Sequence, residues 1–110
     1  MEKSNFELVV AIINEGFSDL VMNAAIEEGA RGGTILHARG TGNKSMEKKY
    51  GIAITPNKET VLILVNSSIT DKVMSAVNKA CGIETECQGF IFSVPVNDIS
   101  GLKYEEAPKQ

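Results

Sequence analysis

Apolar and polar positions alternate in blocks along the chain, and the first blocks predict a strand–helix–strand unit. The stretch Phe6–Ile13 is apolar and rich in β-branched residues, which is typical of a strand. Ser18 is a candidate helix N-cap, apolar side chains then recur at helical spacing, and Gly29 is a natural C-cap. After a short glycine connector, Thr34–Arg39 is predicted to form a second strand.

The second half of the chain repeats this order. Val61–Val65 is a β-branched strand, Thr70 is placed to cap a helix that ends near Cys81, and Phe90–Val96 reads as a fourth strand. A polar segment of residues 43–59 separates the two halves, and we predict a long loop there. Such a loop exceeds the usual connection length in compact domains, where long loops are often functional.

The order β-α-β, loop, β-α-β is that of the split βαβ or ferredoxin-like fold. This α+β architecture has one antiparallel four-stranded sheet with both helices on one face. The first and third strands are apolar at nearly every position, which indicates burial on both faces. Two helices cover one face, and monomers rarely expose a large apolar patch. We therefore predict a homo-oligomer packed through the open face, with partial cover by the loop and tail as the alternative.

Length and charge narrow the class of protein. The 110 residues suffice for a single domain, which we assign to residues 1–110. A formal net charge of −3 argues against a general nucleic-acid or anionic-membrane binder. No apolar run approaches the roughly 20 residues of a membrane-spanning helix, and the first residues lack a signal-peptide pattern. The predicted location is cytoplasmic, without membrane insertion.

Candidate chemistry concentrates between residues 29 and 42, which hold both arginines, the one histidine and half of the ten glycines. The glycines run from helix to strand, whereas a phosphate-cradling loop runs from strand to helix. The helix-to-strand direction therefore favours a structural turn at these glycines. The absence of side chains would still let a ligand approach their backbone closely. His37 and Arg39 share one strand face, and Arg39 could pair with a phosphate, a carboxylate or a neighbouring subunit. No nucleophile or acid–base pair is indicated, so we predict no enzymatic activity.

The two cysteines fit no familiar site. Cys81 and Cys87 are six positions apart, which matches neither a Cys-x-x-Cys redox motif nor a common zinc spacing. A cytosolic chain normally keeps such thiols reduced, and one histidine with two cysteines cannot complete a standard zinc site without carboxylates. We interpret Cys81 as the end of a helix face and Cys87 as a loop residue, with a redox switch as the alternative. No metal site is predicted.

Three segments together resemble the P-II family of nitrogen regulatory proteins, over about residues 6–103. They are Gly29-Ala30-Arg31-Gly32-Gly33-Thr34, Arg39-Gly40-Thr41-Gly42 and the strand beginning Gly89-Phe90-Ile91-Phe92. The resemblance implies a homotrimer that binds adenine nucleotides in clefts between subunits and, in many members, senses a small acid such as 2-oxoglutarate. A protruding T-loop then docks on a transporter, an enzyme or a transcription regulator. No cofactor is required for such a role.

The resemblance places the T-loop at residues 43–58 and the C-terminal tail at 97–110. The ligand-binding residues that it implies, with Arg39 added from its charge, are Gly32, Gly33, Thr34, Arg39, Gly40, Gly42, Gln88, Gly89 and Lys103. We predict that four residues of this positively charged loop contact a protein partner: Lys44, Lys48, Lys49 and Tyr50.

The chain also departs from the family pattern. Phe90 stands where classical members carry a phosphate-neutralising lysine, Gly101 replaces an arginine, and the B-loop of residues 84–88 is acidic. These changes disfavour a triphosphate electrostatically. We therefore predict a divergent P-II-like protein whose effector is an ATP-, ADP- or AMP-type nucleotide or a related metabolite, with Arg31 and Arg39 replacing the lost phosphate contacts. The alternative is a trimeric metal- or stress-related binding protein of similar fold.

Overall fold

The computed structural model describes residues 2–3, 5–41 and 56–101, and these residues form two helices and six strands. In chain order the elements are β1 (Glu2–Lys3), β2 (Phe6–Asn14), α1 (Ser18–Glu27), β3 (Thr34–Arg39), β4 (Asn57–Asn66), α2 (Thr70–Cys81), β5 (Phe90–Pro95) and β6 (Asp98–Ile99). The predicted order of four strands and two helices is confirmed by β2, α1, β3, β4, α2 and β5, whereas β1 and β6 were not predicted.

Four of the strands form one sheet in the order β3-β4-β2-β5, and each neighbouring pair is antiparallel. The register places Val9 opposite Ile63 and Ala11 opposite Ile91. Both helices pack on the same side, and α1 also contacts α2. This is the ferredoxin-like α+β arrangement that the sequence predicts.

The hydrophobic core lies between the helices and one side of the sheet. Alternate residues of β2 and β4 point towards the helices, as strand geometry requires. The fully buried residues of these four elements are Val9, Ala11, Ile13, Val21, Ala25, Val61, Ile63, Val65, Val73, Val77 and Cys81. Removal of these apolar side chains from water is the main driving force for this packing.

The helix starts and the start of β4 differ from the prediction. Ser18 and Thr70 are the first helical residues, and the preceding cap positions make no side-chain capping hydrogen bond. The Thr70 hydroxyl instead donates to Glu7 Oε1 at 2.5 Å. β4 begins at Asn57, four residues before the predicted start, so the predicted loop of residues 43–59 and the predicted T-loop of residues 43–58 extend too far. Asn57 pairs with Arg39 of β3, and the polar residues after it pair with both neighbouring strands. A hydrophobic pattern cannot detect a strand segment that lacks apolar residues.

A second, two-stranded sheet was not predicted. β1 and β6 pair antiparallel, with Glu2 opposite Ile99 and Lys3 opposite Asp98. The start of the predicted C-terminal tail therefore pairs with the N-terminal residues, while residues 102–110 lie outside the described residues. Neither helix within residues 5–41 and 56–101 is long and apolar enough to cross a membrane.

The expectation of reduced thiols is wrong for this structure, because Cys81 and Cys87 form a disulfide. Cys81 ends α2, as predicted, and Cys87 lies in the following loop. Their Cα atoms are 4.9 Å apart, and both residues are buried. The spacing of six residues does not reveal this bond, since the pairing depends on how the loop turns back beside the helix end.

Candidate functional site

One side of the sheet, which we call the open face, carries a continuous set of apolar side chains. Its members alternate with the core residues and are aligned by the strand register: Leu8, Val10, Ile12, Leu36, Leu62, Leu64, Phe90, Phe92 and Val94. Leu36 is 48% exposed, Phe90 63% and Val94 39%. The helices cover the opposite side, so the described part of the chain leaves this apolar surface open.

The base of the predicted T-loop lies where β3 ends and β4 begins. The Gly40 amide donates to the Pro56 carbonyl at 2.7 Å, which joins the two chain segments that flank residues 42–55. The Lys58 side chain lies along Gly40, since a Cβ on this glycine would come within 3.2 Å of Lys58 Cε. Gly40 therefore has a packing role at the predicted ligand-binding position, and Lys58 is close to it.

Asn14 connects this base to the predicted B-loop. Its Oδ1 accepts a hydrogen bond from Lys58 Nζ at 2.7 Å. Its Nδ2 donates to the Glu86 carbonyl at 3.0 Å, and its backbone amide donates to the Cys87 carbonyl at 2.9 Å. Sequence reasoning missed both Asn14 and Lys58. The sequence feature that could have identified Asn14 is its position as a polar residue at the end of an apolar strand, directly before the Glu15–Gly16 turn.

Glu59 holds the same turn from β4. The Gly16 amide, in a turn where φ is +100°, donates to Glu59 Oε1 at 3.1 Å. Glu59 Oε2 lies 3.9 Å from His37 Nδ1, and the His37 side chain is 78% exposed. An ion pair there forms when the histidine is protonated and is weak because water screens it. His37 thus has a local electrostatic partner in Glu59.

The segment of residues 82–88, which contains the predicted B-loop of residues 84–88, is stabilised by hydrogen bonds of its own. The Thr85 hydroxyl donates to the Gly82 carbonyl at 2.7 Å, and the Gly89 amide donates to the Cys81 carbonyl at 2.8 Å. A Cβ on Gly89 would overlap that Cys81 carbonyl oxygen, so the close approach requires glycine. Gln88 has a positive φ of 49°. The predicted ligand residues Gln88 and Gly89 therefore follow a loop closed by the disulfide.

The predicted residues Gly32, Gly33 and Thr34 lie at the far end of β3 from Gly40. Thr34 is opposite Leu62 in the register, whereas Arg39 is opposite Asn57. At about 3.3 Å per residue, Thr34 and Arg39 are roughly 17 Å apart along the strand. A single chain therefore separates the predicted ligand-binding residues into two groups, one at each end of β3.

The remaining predicted residues lie outside the described residues. They are Gly42, Lys44, Lys48, Lys49, Tyr50 and Lys103. Within the described parts, no group of three or more His, Cys, Asp or Glu side chains could hold a metal ion together. A groove of about 780 Å³ between α1 and α2 contains none of the predicted ligand-binding residues.

The fold and the sequence together show which protein family the chain belongs to. The arrangement is that of a ferredoxin-like α+β domain, and residues 6–106 match the family model described as nitrogen regulatory protein P-II. The chain belongs to the P-II family, a family of regulatory proteins, as its resemblance predicts.

Solved structures agree with this fold. Arabidopsis thaliana PII bound to citrate is 24% identical, with a TM-score of 0.68 and coverage of 97% of this chain and 93% of that chain. A DUF3240 family protein from Shewanella baltica is 15% identical, with a TM-score of 0.66 and coverage of 91% and 99%. A search of curated proteins found no match.

Proposed function

We propose that this chain is a trimeric P-II-type signal-transduction protein. It binds a small effector in clefts between subunits and passes the ligand state to a protein partner through residues 43–58, in nitrogen or related metabolism. Effector binding would shift the population of loop conformations and would require no chemical step. Family membership over residues 6–106 is the observation that carries this proposal.

Trimer formation is supported by two features of the described residues. The open face is apolar across all four strands, and such a surface is normally covered by a partner. The two groups of predicted ligand-binding residues also lie at opposite ends of β3, roughly 17 Å apart. A compact effector therefore cannot contact both groups of the same chain. A neighbouring subunit that contributes its Gly32–Thr34 segment beside Gly40 and Gln88 would complete the cleft.

The proposed effector is an adenine nucleotide of ATP, ADP or AMP type, or a related metabolite. Glu84 and Glu86 are exposed on the B-loop, and their charge opposes a triphosphate. This favours a less highly charged ligand. The Arabidopsis relative binds citrate, so a small carboxylate belongs in the same screen.

The proposed partners are a second and third copy of this chain and a target such as a membrane transporter or metabolic enzyme. The lysines and Tyr50 of the T-loop would contact that target. We place the protein in the cytoplasm, without nucleic-acid binding or membrane insertion. The metal-binding alternative has no supporting group of ligands among the described residues.

Two measurements test the proposal. Light scattering should give three times the 11.8 kDa chain mass. A thermal-shift screen should include ATP, ADP, AMP, cyclic nucleotides, 2-oxoglutarate, citrate, bicarbonate and divalent metals. An effector at one hundred times its dissociation constant adds about 2.7 kcal/mol to stability. A monomer with a flat screen would contradict the proposal, and a shift with metals alone would favour the alternative.

A further inference from the structure

The disulfide-closed B-loop is linked to the start of β4, and the P-II role does not account for this link. We propose that the Cys81–Cys87 disulfide is a redox-sensitive device whose state controls how firmly Asn14 holds Lys58 beside Gly40. The link consists of contacts within one chain, so it needs neither an effector nor a trimer.

The first step runs from the disulfide to Asn14. The bond ties Cys87 to the end of α2, where Cys81 also accepts the Gly89 amide hydrogen bond. This positions the carbonyl groups of Glu86 and Cys87, and both accept hydrogen bonds from Asn14. Opening the disulfide releases this constraint and allows both carbonyls to move.

The second step runs from Asn14 to β4. Asn14 Oδ1 accepts the 2.7 Å hydrogen bond from Lys58 Nζ, and the next amide, that of Glu15, donates to the Asn57 carbonyl at 3.2 Å. The Asn14–Glu15 segment therefore binds the B-loop on one side and the first residues of β4 on the other. Loss of the contacts between Asn14 and the B-loop therefore weakens the contacts between this segment and β4.

The surroundings of the disulfide allow local opening. Both cysteines are buried, but the loop between them is exposed, with Ile83 at 68%. Exposed loops open at lower free energy than the core, and such opening would bring the sulfur atoms to solvent. In the proposed cytoplasmic location, disulfides are usually transient and redox-sensing rather than permanent.

The reaction is ordinary thiol–disulfide exchange with a dithiol reductant. One reductant thiolate attacks a cysteine sulfur, the S–S bond breaks, and the other cysteine leaves as a thiolate that takes up a proton. The second reductant thiol then resolves the mixed disulfide. Two electrons and two protons pass to the cysteines, and the reductant is oxidised to its own disulfide.

Hydrogen exchange of the oxidised and the dithiothreitol-reduced protein, without added ligand, tests the link. We expect reduction to expose two thiols to maleimide labelling and to remove protection from peptides covering residues 82–89, 12–16 and 57–59. The Cys81→Ala/Cys87→Ala variant controls for other effects of the reductant and should not respond to it. In Asn14→Ala, reduction should affect residues 82–89 but no longer residues 57–59.

Three results would overturn the proposal. The purified protein could keep two free thiols in oxidised glutathione, or its disulfide could resist thioredoxin and excess reduced glutathione. Loss of protection could also stay within residues 82–89, which would make the bond a local brace. Each result leaves the effector screen unaffected, so this inference and the proposed function can fail separately.

Discussion

Replacing Leu36 by aspartate tests whether the open face is a subunit interface. Leu36 lies on the edge strand β3 and is 48% exposed in the single chain. Leu20, on α1, is a matched control because it is 47% exposed but lies on the helix layer. An aspartate near a helix N-terminus is also well tolerated, so Leu20→Asp should leave both folding and assembly intact.

The expected effect of Leu36→Asp follows from burial and charge. Full burial of a leucine side chain contributes about 1.5–3 kcal/mol, so covering the 48% that remains exposed contributes about 1 kcal/mol per subunit. An aspartate loses this contribution and must also be desolvated, which costs several kcal/mol per ion. Summed over three subunits, the penalty is on the order of 10 kcal/mol. Since about 1.4 kcal/mol is a tenfold change in an equilibrium constant, the variant should be monomeric at micromolar concentration.

Light scattering and sedimentation measure this directly, and circular dichroism checks that each variant is folded. We expect wild type and Leu20→Asp to be trimers, and Leu36→Asp to have the mass of one 11.8 kDa chain. A folded Leu36→Asp that remains a trimer, with wild-type resistance to dilution, would refute the burial of this face. A wild-type monomer would refute it as well.

Substitutions of Gly89, Glu59 and Arg39, each with a comparison variant, test the candidate site. In a urea titration, Gly89→Ala should lower the free energy of unfolding by about 1–3 kcal/mol, since a Cβ would overlap the Cys81 carbonyl. Gly32→Ala is the control and should be close to neutral, because the space around Gly32 is open. Glu59→Ala removes the acceptor of the Gly16 amide, which is exposed and can bind water instead, and should cost about 0.5–1.5 kcal/mol. Glu59→Gln keeps an acceptor, so equal losses in the two variants would contradict the hydrogen-bond argument. In calorimetry, Arg39→Gln should weaken nucleotide binding by about 1.5–3 kcal/mol, and the loss should rise from AMP to ATP. If both Arg39→Gln and Arg31→Gln keep the wild-type affinity for every nucleotide in this series, the two arginines do not bind the phosphates.

The local pattern of the sequence was sufficient to predict the framework. β3 has the predicted bounds, Thr34–Arg39, and β2 and β5 differ from prediction by one residue. Helix and strand periodicity depend on neighbouring residues, so one sequence carries this information. The apolar runs also predicted that the side of the sheet away from the helices would be apolar, and the register places Leu36 and Phe90 there.

Only the tertiary structure determined how the candidate site is connected. The hydrogen bonds of Asn14 join it to residues 44 and 72 positions away, and the polar start of β4 is a strand because its neighbours pair with it. Likewise, the disulfide depends on the B-loop turning back to the end of α2. No local pattern encodes such contacts, because they depend on strand register and on loop paths that form when distant segments pack together.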